Sequence, residues 1–147
     1  MENSIDFSIL SIKESLYSFD CNYNYELFSE EFLGFQLKKN FAPKFEDNTL
    51  AIDIGIRYID VRNDTILAEN MIRVNFSIVP LESVVNSFNE GKLVTNNSAI
   101  IDTALNIAIG VMRGVLYKNL KGTPLEKYIL PPISLESLKE NTHANSK

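Results

Sequence analysis

Asp53, Asp60, Asp64 and Glu69 fall in one short stretch, and two of them could act as general acid and base if the fold set them together with unequal pKa values. Their spacing argues for a plainer role. Acids that alternate with apolar residues along a strand, as Asp53 does between Ile52 and Ile54, usually mark a solvated face. Other chemistry is sparse. The chain holds one cysteine, Cys21, among Asp, Asn and aromatic residues, and one histidine, His143, in a polar tail. A thiolate nucleophile needs a base beside it and a zinc site needs several such ligands, so neither is expected, and no cofactor is implied. No phosphate loop, dinucleotide fingerprint or nucleophile elbow is present. Asn63-Asp64-Thr65 and Asn75-Phe76-Ser77 fit the glycosylation pattern, which has meaning only in a secreted chain.

The elements that would position these residues must fit in 147 residues, the length of one domain. A single domain over 1–140 followed by a polar tail over 141–147 is expected. Hydrophobic residues make up 45% and charged residues 22%, which suits a folded core. Fourteen Lys and Arg against 19 Asp and Glu give a net charge of -5. Nucleic acids and anionic membranes are disfavoured, because both need Lys and Arg gathered on one face and the sequence shows no such cluster. The start Met1-Glu2-Asn3-Ser4-Ile5-Asp6 lacks the basic and long apolar regions of a signal peptide, so a cytoplasmic protein is expected. The most apolar run, Ala99 to Met112, is interrupted by Asp102, Thr103 and Asn106 and closed by Arg113. It reads as a buried helix of a soluble protein rather than a membrane span.

Hydrophobic period divides the chain in two. Ile52, Ile54, Ile56 and Tyr58 alternate with polar residues, and beyond a turn at Asn63-Asp64 so do Ile66, Ala68, Ile72, Val74, Phe76 and Ile78; this predicts a hairpin with one apolar face. Leu33, Phe35 and Leu37 predict a third strand. Ile5, Phe7 and Ile9, changing phase to Leu10, Ile12 and Leu16, predict a fourth with a bulge. After Pro80 the period lengthens. Leu81, Val84, Val85 and Phe88, with Gly91 as a stop, predict a short amphipathic helix in the connector. A long helix follows from about Ser98 to Leu120, with Asn96, Asn97 or Ser98 to cap it and Gly122 and Pro124 to end it. Polar residues form only a narrow stripe along it. The remainder, including Ile101, Leu105, Ile109, Met112, Val115 and Leu116, is apolar nearly all round, so one sheet cannot cover it and Ile101, Leu105, Ile109, Met112 and Leu116 are expected at an interface between subunits. Tyr128-Ile129-Leu130-Pro131-Pro132 must be extended, and Ser134 then caps a short last helix, with Ile133 and Leu138 as a hydrophobic staple.

The resulting class is α+β: a four-stranded antiparallel sheet, a long helix and a short C-terminal helix. That order resembles the SecB-like export-chaperone family, and local patterns agree. Phe7, Ile9, Ile12 and Phe19 are similar to its first strand, and Phe76-Ser77-Ile78 to the close of its fourth. Asn106 seven residues before Arg113, then Lys121-Gly122-Thr123, resembles its helix and stop. Leu130-Pro131-Pro132-Ile133-Ser134-Leu135-Glu136-Ser137-Leu138 resembles its Pro-containing strip and last helix.

The resemblance implies an ATP-independent holding chaperone, a homo-oligomer built as a dimer of dimers, which binds non-native polypeptides in long apolar grooves and in many bacteria passes them to the export ATPase. It implies polypeptide contacts at Val84, Val85 and Phe88 in a lid-like connector and at Leu135 and Leu138, and contacts with the ATPase at Asp20, Leu67 and Glu69. The chain departs from the family in two places. Its connector Pro80–Asn97 has only Gly91 where the family is glycine-rich, and Leu16 stands where an acid is expected. Relatives of this kind also serve single partners such as the antitoxin of a toxin-antitoxin pair, so an adaptor for one partner is the alternative. A small enzyme using carboxylates is the third reading, and two strand acids facing each other in a closed pocket would be its mark.

Overall fold

The computed structural model describes residues 4–133. Strands β1 (Asp6–Phe19), β2 (Leu33–Lys44), β3 (Thr49–Asp60) and β4 (Thr65–Val79) pair antiparallel in the order β1-β4-β3-β2. The predicted alternation sets one face. Ile52, Ile54, Ile56 and Tyr58 on β3 and Ile72, Val74, Phe76 and Ile78 on β4 are all at most 1% exposed. The turn between these strands sits where Asn63-Asp64 predicts it, with Asp64 at φ 58 and the Asn63 Oδ1 accepting from the Thr65 N–H at 3.1 Å.

One residue breaks the pattern. Tyr58 lies opposite Ala68 but Ile59 lies opposite Ile66, so Leu67 is an extra residue in β4. The bulge turns Leu67 into the core, 0% exposed, and leaves Ile66 41% exposed, reversing the assignment read from alternation alone. β1 carries two such irregularities, at Leu10 and Ser15. The first falls where the change of phase predicts it.

The connector corrects a second expectation. Only Leu81–Ser83 makes a 3-10 turn; Val85–Asn89 and Lys92–Thr95 then form a separate two-stranded hairpin, β5 and β6. Leu81, Val84 and Phe88 do fall at helical spacing, yet Asn86, Ser87 and Asn89 are poor helix formers and Val84 and Val85 favour strands. Glu90 and Gly91 both take positive φ, 52° and 79°, the geometry of a tight hairpin turn, so Gly91 reverses the chain rather than stopping a helix.

Helix α1 (Ser98–Leu120) has the predicted bounds and packs on β3 and β4. It buries Ile101, Ala104, Leu105, Ala108, Ile109, Met112, Leu116 and Leu120. Of the residues expected at an interface, Ile101, Leu105, Met112 and Leu116 lie in the chain's own core and Ile109 is buried at 7% exposure. The exposed side carries Ala99, Thr103, Asn106, Gly110, Gly114 and Tyr117, small or polar except for the last. By length and composition α1 is apolar enough to cross a bilayer, despite its polar interruptions; the residues buried on the sheet account for that apolarity. The short helix expected after Ser134 lies outside the described residues, as do Leu135, Leu138 and His143.

Two polar groups sit in this core among the described residues, and each is fully partnered. Asp60 accepts from the Arg62 Nε at 3.0 Å and Nη2 at 2.7 Å and from the Tyr23 hydroxyl. The Arg62 guanidinium also lies 3.8 Å from the Phe32 ring centre. Asn70 donates to the Leu16 carbonyl at 2.7 Å and to Glu14 at 2.9 Å, and accepts from the Asn119 side chain at 3.0 Å, tying β1 and the end of α1 to β4.

Hydrogen bonds from Arg62 hold the Asp60 carboxyl well below the usual carboxylate range. A carboxyl depressed in the folded state stabilises fully above its unfolded value of about 4, and that stabilisation is lost as pH falls toward the folded value. Asp60→Asn is therefore expected to lower the thermal midpoint at pH 7 and to flatten its decline between about pH 5 and 2. Thermal melts of both proteins across that range check this; parallel pH curves would contradict it.

Candidate polypeptide-binding surface

A cleft of about 310 Å³ opens between the C-terminal half of α1 and the strip that follows it. Gly122, at φ 86°, ends the helix, and the segment then winds back through the bonds Thr123 N–H to Leu120 O (3.0 Å), Glu126 N–H to Thr123 O (3.1 Å) and Tyr128 N–H to Leu125 O (3.0 Å). Leu125 and Leu130 anchor it in the core at 0% and 6% exposure. Two donors, buried Tyr58 and half-buried Arg113, hold its path. The Tyr58 hydroxyl donates to the Tyr128 carbonyl at 2.9 Å, and Arg113 donates to the carbonyls of Leu130, at 2.7 Å, and Pro131.

Leu116, Leu120, Tyr128 and Leu130 line the cleft, and Tyr117 and Ile129 stand beside its mouth at 62% and 74% exposure. Gly114 leaves room on the helix side, since a Cβ there would meet nothing within 4 Å. Burial pushes the Tyr58 phenol up to about 12, against the pull of the Arg113 charge, so it stays protonated and keeps the proton it donates to Tyr128. With the guanidinium already committed to carbonyls, the lining suits an apolar side chain rather than a reacting centre. A second hollow, of about 250 Å³, lies on the other side of Tyr128 among Tyr25, Phe28, Thr123, Pro124 and Lys127. Its wall is part of an aromatic series, Phe19, Tyr25, Phe28 and Tyr128, whose neighbouring rings lie 5.6–6.3 Å apart.

The residues singled out in the sequence are distributed differently. Val84 and Val85 are 0% and 1% exposed and Phe88 is half-buried, so the connector turns its valines inward; the exposed apolar residue of the hairpin is Val94, at 51%. Asp20, Leu67 and Glu69 do come together, the Asp20 N–H donating to the Leu67 carbonyl at 2.8 Å. They form no acidic patch. The Leu67 side chain is buried, Glu69 is paired with Arg57, and the Asp20 carboxylate accepts from the Asn22 N–H at 3.0 Å within its own turn. The strand acids are likewise occupied: Asp53 pairs with Arg73 at 2.7 Å and Asp60 with Arg62. Three hollows on the described surface each hold a single carboxylate, Glu126 in two and Asp53 in the third.

Sequence reading noticed Arg113, Tyr117 and the Tyr128–Pro132 strip separately but not that they meet. Their meeting is testable. Replacing Arg113 by Ala should destabilise the protein by about 1.5–3 kcal/mol, the worth of hydrogen bonds from a charged donor, and speed amide exchange over residues 126–131. Arg113→Lys, which keeps the charge but not the fork, should restore only part of the protection. Unchanged exchange in the alanine variant would show that Arg113 does not hold the strip.

No protein-family model matches the chain, and no curated protein matches its sequence. Among solved structures, it is similar to the Mycobacterium tuberculosis SecB-like chaperone Rv1957, solved in complex with a ChAD peptide from the Rv1956 HigA1 antitoxin. The TM-score is 0.54 at 13% identity, over 87% of this chain and 90% of that one. A Streptococcus agalactiae protein of unknown function aligns over 90% of this chain and 98% of its own, with a TM-score of 0.43 and 14% identity. At 13% identity the likeness to the Mycobacterium tuberculosis protein is one of fold: a four-stranded antiparallel sheet carrying a long helix, in the SecB-like arrangement.

Proposed function

We propose that the protein is an ATP-independent polypeptide-binding chaperone of the cytoplasm, with no catalytic step of its own. The observation that carries this reading is the apolar cleft beside Tyr117 and Ile129, two large side chains left in water next to a hollow that fits an apolar side chain. An unfolded or extended segment offers such side chains and needs no shaped catalytic pocket. The SecB-like fold, met elsewhere in a chaperone bound to a peptide, supports it. A second reading, an adaptor for one partner such as an antitoxin, is favoured by the size of the cleft, room for one or two side chains. Coupling to the export ATPase has little support, since Leu67 is buried and Glu69 is neutralised by Arg57.

Both readings expect suppression of client aggregation at stoichiometric ratio without ATP. A double variant, Tyr117→Ser with Ile129→Ser, should lose most of it while keeping the wild-type thermal midpoint. No suppression of any of several clients would sink the holding-chaperone reading, and a pull-down returning one protein instead of a spread would favour the adaptor.

Self-association belongs to the same proposal, with β1 as its surface in place of the buried face of α1. This 14-residue edge strand exposes Ile9 (47%), Leu10 (56%), Ile12 (49%) and Leu16 (40%). Unpaired backbone bearing apolar side chains suits pairing with the same edge of a second copy. Sedimentation at micromolar concentration is expected to give a dimer or a dimer of dimers, and Ile9→Lys with Ile12→Lys to shift it toward monomer. A wild-type monomer would contradict this.

A further inference from the structure

We propose that the sheet face turned away from α1 docks an acidic, amphipathic segment of a partner polypeptide. Strand register gathers cations there from distant parts of the chain. Lys13, Arg73, Asp53 and Asn40 align in one row across the four strands, Leu16, Met71, Gly55 and Lys38 in the next, and Ser18, Glu69, Arg57 and Gln36 in a third. Lys44 lies opposite Thr49, which lies opposite Ser77, further along the same face. Five cations, Lys13, Lys38, Lys44, Arg57 and Arg73, thus share a face with three carboxylates, Asp53, Glu69 and, opposite Val79 at its far end, Asp6, a net of +2 on a chain of -5.

The two carboxylates among the central rows, Asp53 and Glu69, are already neutralised. Asp53 takes a bidentate pair from Arg73, at 2.7 and 2.9 Å, with the Asn40 amide at 3.3 Å, and Glu69 is paired with Arg57. Lys13 and Lys38 are exposed, and among the described residues neither enters an ion pair. Between them lies an apolar centre. Gly55 has no side chain, and Met71 lies across it so closely that a Cβ there would sit 2.9 Å from its Cγ; Leu16, directly opposite Met71 on β1, is 40% exposed. Beside Met71 a hollow of about 350 Å³ is lined by Lys38, Asn40 and Asp53.

An apolar middle flanked by unneutralised ammonium groups matches a segment carrying apolar side chains among Asp and Glu. A basic segment would be repelled. Polynucleotide fits poorly, since the aligned rows carry no aromatic side chain for base stacking and two of the five cations are already paired. This surface lies on the opposite side of the sheet from the cleft beside α1, so it stands apart from the chaperone reading.

The test is fluorescence anisotropy with a labelled probe peptide of about 15 residues, Leu at helical spacing among Glu, against its Lys counterpart and a single-stranded oligothymidylate of similar charge. Wild-type protein should bind the Glu peptide and weaken about tenfold or more between about 50 and 300 mM salt. Lys13→Glu with Lys38→Glu should lose at least about tenfold in affinity, whereas Lys118→Glu with Lys121→Glu, at the end of α1, should not. If the reversed pair fails to fold, Lys13→Gln with Lys38→Gln should give an intermediate loss. Absence of binding, equal binding of the Lys peptide, tighter binding of the oligonucleotide, or indifference to the lysine changes would each overturn the proposal. Aggregation suppression should persist in the lysine variants, which separates failure here from failure at the cleft.

Discussion

An α-helix with its side chains is about 10 Å across, and paired strands lie about 4.8 Å apart, so one helix can roof two strands but not four. Most of the architecture follows from that mismatch. α1 covers β3 and β4, whose inward residues are the driest in the chain, and the inner faces of the two edge strands must find other cover. On the β2 side the aromatic loop before it and the strip after α1 supply it: Phe28 is 7% exposed and Leu130 6%, and Tyr128 packs on Phe28. On the β1 side cover is incomplete, and Ile9 and Ile12 stay half in water.

The polar interior answers the same problem. Where apolar cover thins at the end of α1, Asn70 takes an inward position on β4 and binds Glu14 and Asn119, so that β1, β4 and the helix end are joined by directional bonds instead of by packing. Glu14, pointing inward from a bulged edge strand, also discourages indiscriminate strand addition. At the opposite end Asp60, Arg62 and Tyr23 close the sheet with a buried charge that is fully satisfied. The cleft lies between these two regions, where Gly114 contributes no side chain and bonds from Tyr58 and from Arg113 of α1 fix the path of the strip's backbone.

Much of this was legible in the residues. The four strands, the turn at Asn63-Asp64, the first bulge in β1 and both ends of α1 follow from spacing and turn chemistry, which act between near neighbours, although Asn97 at the helix start makes no side-chain capping bond. The misreadings share one cause. Leu81, Val84 and Phe88 match a helix locally, but tertiary packing rewards Val85, Phe88 and Leu93 for lying as a hairpin against the core, and Glu90-Gly91 permits the turn. Ile66 and Leu67 exchanged faces because a bulge in β4 is defined only by what β3 places opposite it. The apolar circumference of α1 suggested a second subunit, whereas Ile101, Leu105, Met112, Leu116 and Leu120 are buried in the chain's own core, and Gly110, Gly114 and Ala99 supply a side that needs little cover.

The sequence by itself determined the class of elements and their order, because the periods of strands and helices are written in residues two to four apart. Only the tertiary structure decided which groups meet: Arg113 with the carbonyls of Leu130 and Pro131, Tyr58 with Tyr128, and Lys13 with Arg73 and Lys38 on one face. Such meetings depend on strand register and chain reversal across dozens of residues, and free energy summed over the whole core, not any local pattern, selects them.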